Sequence, residues 1–267
     1  MTTNISLCTQ GSHQSNNKLF QLNNFITQQL SNSFNSATLL TQQLSNSITQ
    51  QLYTMNSKDY IYKLIEEGEH QQQDFKFEIS DARKIAKSLS AFSNTDGGRL
   101  LIGVKDNGRI AGVRSEEEIY MIEAAAKLYC RPNVEISVQT YEVDGKTVLV
   151  AEIPKAEQKP VQVQDETGKY LAYVRIADEN ILATPVHLAV WRQKNSAQGT
   201  LVKYTEREQL LLDYLAEHQE ITVSKYSRLA HISYRLAIEY IARFVRFGIL
   251  DICFEHHRFC YRLSREG

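Results

Sequence analysis

The sequence predicts an α+β protein, a mixed-sheet domain followed by a smaller helical domain that closes on a hairpin. Three observations predict it. From residue 69 to 192, strand-like alternation and helix-like periodicity take turns, so neither an all-helical nor an all-β core is expected. A polar stretch at 193–202, opening with QKNSAQGT, then separates a second periodic segment, 203–267. Hydrophobic residues make up 42% of the 267 positions and charged residues 23%, a balance that supports an ordinary globular core.

Residues 1–54 stand apart. They contain no Asp or Glu, and Lys18 is their only Lys or Arg. ITQQLSNS at 26–33 is repeated as LTQQLSNS at 40–47 and truncated as ITQQL at 48–52. Two readings remain open: a polar, disordered extension, or translated upstream sequence with the start at Met55. The mixed domain is then expected over 55–192. Tyr60 to Glu67 reads as a short amphipathic helix with Tyr60, Ile61, Leu64 and Ile65 inward. Asp74 to Glu78 alternates as a half-buried strand, which places Phe75 and Phe77 in the core and Asp74, Lys76 and Glu78 outside. Ser80 is expected to cap the next helix, with Asp81 in its first turn. Ile85, Leu89 and Phe92 form that helix's buried stripe, and Arg83, Lys84 and Lys87 point away. Asn94 to Gly98 stops it, because glycine accepts a left-handed backbone. Leu100 to Val104 is a strand, Asp106-Asn107-Gly108 a tight turn, and Arg109 to Val113 the expected return.

These residues carry a resemblance. Glu69, Asp74-Phe75-Lys76, Ala91 to Gly98 (AFSNTDGG), Gly103-Val104-Lys105-Asp106-Asn107-Gly108 and Gly112 follow, in order and spacing, the pattern of the Schlafen/AlbA-type domain of bacterial proteins. Asp74 departs from it, since Glu is usual there. The similarity extends weakly through Lys159-Pro160-Val161 and Tyr173-Val174-Arg175-Ile176 to about Trp191. The resemblance implies a mixed-sheet Schlafen/AlbA-like domain and DNA binding. In RNA-cleaving relatives the positions of Glu69, Asp74 and Asp106 hold a divalent metal, so the resemblance also implies an alternative, a nuclease using Mg or Mn through those three carboxylates. Relatives are also associated with ATP, but no Gly-Lys-Ser/Thr phosphate loop exists here, and Gly97-Gly98 reads as a helix stop feeding a strand.

Beyond Gly112 the pattern continues. Ser115 is expected to cap a helix with Glu116, Glu117 and Glu118 in its first turn, ending before Pro132. Val134 to Glu142 and Thr147 to Ile153 are strands joined by Asp144-Gly145, Tyr170 to Ile176 is another, and Thr184-Pro185 opens a helix through Trp191. In 203–267, Thr205 and Glu208 form a capping box for a helix carrying Leu210, Leu211, Tyr214 and Leu215. A shorter helix opens at Val223, and a longer one runs from Tyr234 to Phe247 and stops at Gly248. A hairpin follows, Ile249 to Phe254 and Arg258 to Leu263, around Glu255-His256-His257. Three helices and a two-stranded wing resemble the winged helix-turn-helix in order and pattern.

Net charge is −1, so any polyanion must be met by local patches. In the first domain the candidates are Lys76, Arg99, Lys105, Arg109 and Arg175. In the second they are Arg235, Arg243 and Arg246 on the longer helix, opposed only by Glu239, with Lys225, Arg228 and, from the wing, Arg258. Cys8, Cys130, Cys253 and Cys260 lack paired metal-ligand spacing. Cys253 and Cys260 are expected to face each other across the hairpin as reduced thiols. No apolar run reaches the roughly 18 residues of a membrane helix, so no membrane partner is expected. The expectation is a cytoplasmic bacterial regulator of transcription that binds nucleic acid, double-stranded DNA in particular, without a cofactor and as a homodimer if its sites are palindromic. The alternatives are the metal-dependent RNase or DNase and a scaffold whose winged helix docks a protein.

Overall fold

The structure, a computed structural model, describes residues 57–115, 117–195 and 205–264. The chain divides into two compact units, Met1–Asp59 and Tyr60–Gly267, and the second is described below. The expectations for residues 1–54 and for 196–202 of the linker lie outside the described residues.

A four-stranded mixed sheet is the frame. Its order is β1 (Gln73–Lys76), β2 (Gly98–Ile102), β5 (Lys146–Ile153), β4 (Ser137–Val143). β1 and β2 are parallel, with Asp74 opposite Leu100 and Phe75 opposite Leu101, and the other pairs are antiparallel. Parallel neighbours need a crossover, and α2 (Ala82–Asn94) supplies it. A helix over residues 57–67, α1, covers one face of the sheet: Ile61 and Leu64 pack with Phe75, Leu101, Val148 and Val150. α2 covers the other, where Ile85, Leu89 and Phe92 meet Leu100, Ile102, Leu149 and Ala151. The alternation of Leu100, Leu101 and Ile102 between faces follows the period of two. α3 (Glu117–Ala124) continues through a π-helical turn over Ala125–Tyr129 and adds Ile122 to this core. A second, antiparallel sheet, β3 (Cys130–Arg131), β6 (Gln162–Gln164), β7 (Tyr170–Ile176), β8 (Glu179–Leu182), lies against α2 as well.

Four local expectations are corrected. Asp81, not Ser80, caps α2, its side chain accepting from Arg83 N at 2.8 Å. Asp74 is buried and Phe77 exposed, the reverse of the alternation read from the sequence. The sheet is covered on both faces, so the polar side of β1 also lies inside. The strand ends at Lys76, whose carbonyl accepts Gly103 N at 2.8 Å, and Phe77 lies beyond the ladder. Residues 109–113 form no strand beyond a Val104–Ile110 bridge, because Ala111 N and Gly112 N both turn back to the Gly103 carbonyl. Cys253 and Cys260 are directly opposite in β9–β10, 5.1 Å apart at Cα, and form a disulfide where reduced thiols were expected. Cys130 is a free thiol pushed up to about 12 by burial.

α4 (Pro185–Lys194) runs on through Gln193 and Lys194. Its Val186, Ala189 and Val190 share one core with Leu211 of α5 (Glu206–Glu217), Tyr226 of α6 (Val223–Leu229), and Ala237, Ile241 and Phe244 of α7 (Tyr234–Arg246). The hairpin of β9 (Leu250–Glu255) and β10 (Arg258–Leu263) turns at His256 and His257, both at positive φ, and is tied to the segment before α6 by an Ile221–Tyr261 bridge. Among the described residues no helix is long and apolar enough to cross a membrane.

Candidate nucleic-acid interface

The charges of residues 57–184 divide into an internal set and an external one. Asp74, buried between α2 and β7, has Lys76 Nζ 2.6 Å from Oδ2 and Arg175 Nη2 3.4 Å from Oδ1. Arg175 is 2% exposed; it donates to Asn180 Oδ1 at 3.0 Å and Gln73 O at 3.2 Å and lies over the Phe92 ring. An enclosed guanidinium so engaged cannot meet a phosphate, which corrects its place among the expected nucleic-acid contacts. Lys76 also donates to Phe75 O. Arg99 is spent on Gln73 Oε1 at 2.7 Å and on Glu67. Glu69 accepts from Phe75 N at 2.9 Å; burial and its hydrogen bond with the neighbouring Asp74 carboxylate hold it above the usual range.

Asp106 is exposed on the turn. The three expected metal carboxylates therefore do not fit one divalent ion. Asp74 is flanked by two cations, and the group of three ligand atoms within 4.8 Å found among the described residues is Glu220, Cys253 and Cys260, two of which are joined as a disulfide. Lys105 and Arg109, in contrast, are exposed. Lys105 Nζ lies 4.9 Å from the centre of the exposed Phe77 ring, with Arg114 on the same ring at 5.6 Å.

In the C-terminal helices the same division recurs. Arg243 pairs at 2.7 Å with Glu208, which is 1% exposed, so it is a clamp between α7 and α5. Glu239 is held by Arg192 and Gln193 of α4. Arg258 pairs with Glu220 at 2.9 Å. Arg246 lies over Phe247. What stays open is the α6–α7 end. Ser233 caps α7 by accepting from Leu236 N at 3.2 Å, which leaves Tyr234 (50% exposed) and Arg235 on the helix's first turn facing solvent. Lys225 and Arg228 are exposed on the helix before the turn, and Lys225 lies over Tyr214. No carboxylate pairs with Lys225, Arg228 or Arg235 among the described residues.

Residues 69–184 match the family described as Schlafen, AlbA_2. The match stops at the residue that caps α4, just before the helix whose inner face joins the C-terminal core. Among solved structures, the DIP2311 protein from Corynebacterium diphtheriae is similar at 18% identity and a TM-score of 0.40, covering 74% of this chain and 34% of its own. The chain thus spans about a third of that protein's length. The N-terminal domain of an ATP-dependent DNA helicase RecG-related protein from Nitrosomonas europaea is similar at 21% identity and a TM-score of 0.36, covering 56% of this chain and 96% of its own. The comparison with curated proteins finds no match.

Within the Schlafen, AlbA_2 segment, the motif residues act mainly as ties. Asn94 Nδ2 donates to Val161 O at 2.8 Å and Tyr173 O at 2.9 Å, and its Oδ1 accepts Val161 N at 2.8 Å, so one amide joins α2 to β6 and β7. Thr95 Oγ1 accepts Arg175 N at 2.9 Å. Gly97 sits at φ +74, and a Cβ there would meet the Ile153 carbonyl at 2.8 Å. Three residues have roles that the sequence reading did not assign. Gln73 bridges Leu64 O, Gly68 O and Arg99. Lys159 donates to the Asn94 and Thr95 carbonyls at the end of α2, with burial and then Lys155 lowering it to about 8. His187 completes the α4 cap. Their only sequence signal was polarity next to apolar runs.

Proposed function

We propose that the protein binds double-stranded DNA, with α5–α7 and the β9–β10 hairpin acting as a winged helix-turn-helix. The single observation that carries this reading is the exposed Arg235 on the first turn of α7, with which no carboxylate of the described residues pairs, beside Tyr234 and the exposed Lys225 and Arg228. Helix-turn-helix proteins read base edges with that end of the second helix and hold phosphates with the flanking cations. Lys105 and Arg109 add backbone contacts from the Schlafen, AlbA_2 segment, and the exposed Phe77 between cations suits the same polyanion. The wider role is regulation of transcription in the bacterial cytoplasm, with a homodimer on palindromic half-sites. Fluorescence anisotropy with labelled duplex DNA at several salt concentrations tests it. Affinity falls steeply with salt, and the Lys225→Ala, Arg228→Ala, Arg235→Ala triple variant loses about tenfold or more at moderate salt. Salt-independent binding, or a triple variant that binds as the parent does, refutes it.

A further inference from the structure

A cavity of about 340 Å³ opens between β7 of the first domain and the β9–β10 hairpin. Its walls are unusually aromatic: Trp191, Phe254, Phe259 and the His187 ring all line it. Phe254 and Phe259 lie 4.8 Å apart at the ring centres, and His187 stands edge-on to Phe259 at 5.0 Å. The polar groups beside them are committed elsewhere. Asn94 and Thr95 hold the sheet, and Gln71 is bonded at both ends of its amide, to Arg175 O and Ala177 N. His187 is the exception. Thr184 N donates to its Nδ1 at 3.2 Å and Thr184 Oγ1, 2.8 Å from the same atom, can donate to it too, which assigns Nδ1 as the acceptor and the ring proton to Nε2, an atom with no hydrogen-bond partner among the described residues. Burial lowers the imidazole to about 4, so the ring is neutral near pH 7. Arg175, also lining the cavity, has a buried Nε without a partner.

We propose that this cavity is a binding site for a small, neutral, planar heteroaromatic molecule, packed against Trp191, Phe254 and Phe259 with a ring acceptor atom on His187 Nε2–H. The volume suits one bicyclic ring system. Aromatic walls favour a flat ligand through stacking and edge contacts. A charged ligand is disfavoured because the nearest charge, Arg175, is already matched by Asp74, and an uncompensated ion would lose its water in an apolar setting. An acceptor-bearing ligand gains because it satisfies a donor that the protein leaves unused. The site would be occupied whether or not the protein binds DNA.

Trp191 is the chain's only tryptophan, so its fluorescence reports the site directly. The test is titration of the whole protein at pH 7.5 with two probes of the same shape: quinoline, which carries a ring nitrogen acceptor, and naphthalene, which does not. The expected result is a saturable change with both and about tenfold tighter binding of quinoline, the worth of one hydrogen bond. His187→Phe brings the two probes within about twofold of each other, and Ile176→Phe, which enlarges a lining residue without adding a second tryptophan, weakens both by about tenfold. Equal affinities in the parent protein, no saturable change with either probe, or an Ile176→Phe variant that binds both as before would overturn the proposal. The quinoline–naphthalene comparison needs no variant, so the test stands even if a substituted chain fails to fold.

Discussion

Arg175 and Arg235 carry the same group in opposite settings. Arg175 is buried, closed over Phe92 and paired with Asp74. Arg235 stands exposed on the first turn of α7, and no carboxylate of the described residues pairs with it. The first arginine and its neighbours Lys76 and Arg99 are engaged by carboxylates within the fold, whereas Lys225, Arg228 and Arg235 present their charge outward. The comparison teaches that a cation's function depends on what already occupies it. A patch of basic residues in sequence is a patch in space only where no carboxylate has been folded against it.

The largest expected effect breaks the internal side of the comparison. Arg175→Met leaves a buried Asp74 with one cation fewer and unfolds Asn180's tie, for a loss of about 4 kcal/mol in denaturant unfolding. Next is Arg243→Ala, which strands the buried Glu208 carboxylate and costs about 2–3 kcal/mol; its effect on DNA affinity follows that loss of stability. Gly97→Ala, forced to positive φ against the Ile153 carbonyl, costs about 2 kcal/mol. A smaller effect comes from pH. His187 has a folded value of about 4, below its unfolded value near 6.5, so the folded chain binds fewer protons in that window. Stability contributed there is full above about pH 6.5 and is lost as pH falls towards 4, and melting temperatures at pH 7 and pH 5 should differ less in His187→Phe than in the parent. Arg235→Ala should change stability by no more than about 0.5 kcal/mol, since the side chain is exposed and no carboxylate of the described residues pairs with it.

Much of the frame was legible. The strand–helix–glycine stop–strand order, the Ile85-Leu89-Phe92 stripe, the Thr205–Glu208 box and the closing hairpin all follow from local period and turn chemistry. The second sheet was only half legible. β6 and β8 are three and four residues long, too short for a period to register. The serine side of α2 was illegible for another reason. The helical period says nothing of what Ser90 meets: Ser90 Oγ donates to Val161 O and accepts Tyr173 N, because α2 is sandwiched between two sheets and its polar side completes their edges. β1 failed through the same geometry: alternation cannot distinguish water from a buried ion pair on the polar side. In the candidate interface, Arg235 was identified along with Arg243, but partner choice separates them, and Glu208 lies 35 residues away in sequence.

The most direct measurement is the dependence of duplex-DNA affinity on salt for the parent, Arg235→Ala and Arg99→Ala proteins. The account predicts a negative slope of log affinity against log salt that becomes shallower by about one unit in Arg235→Ala and stays unchanged in Arg99→Ala. A slope that shifts in Arg99→Ala and not in Arg235→Ala would contradict it.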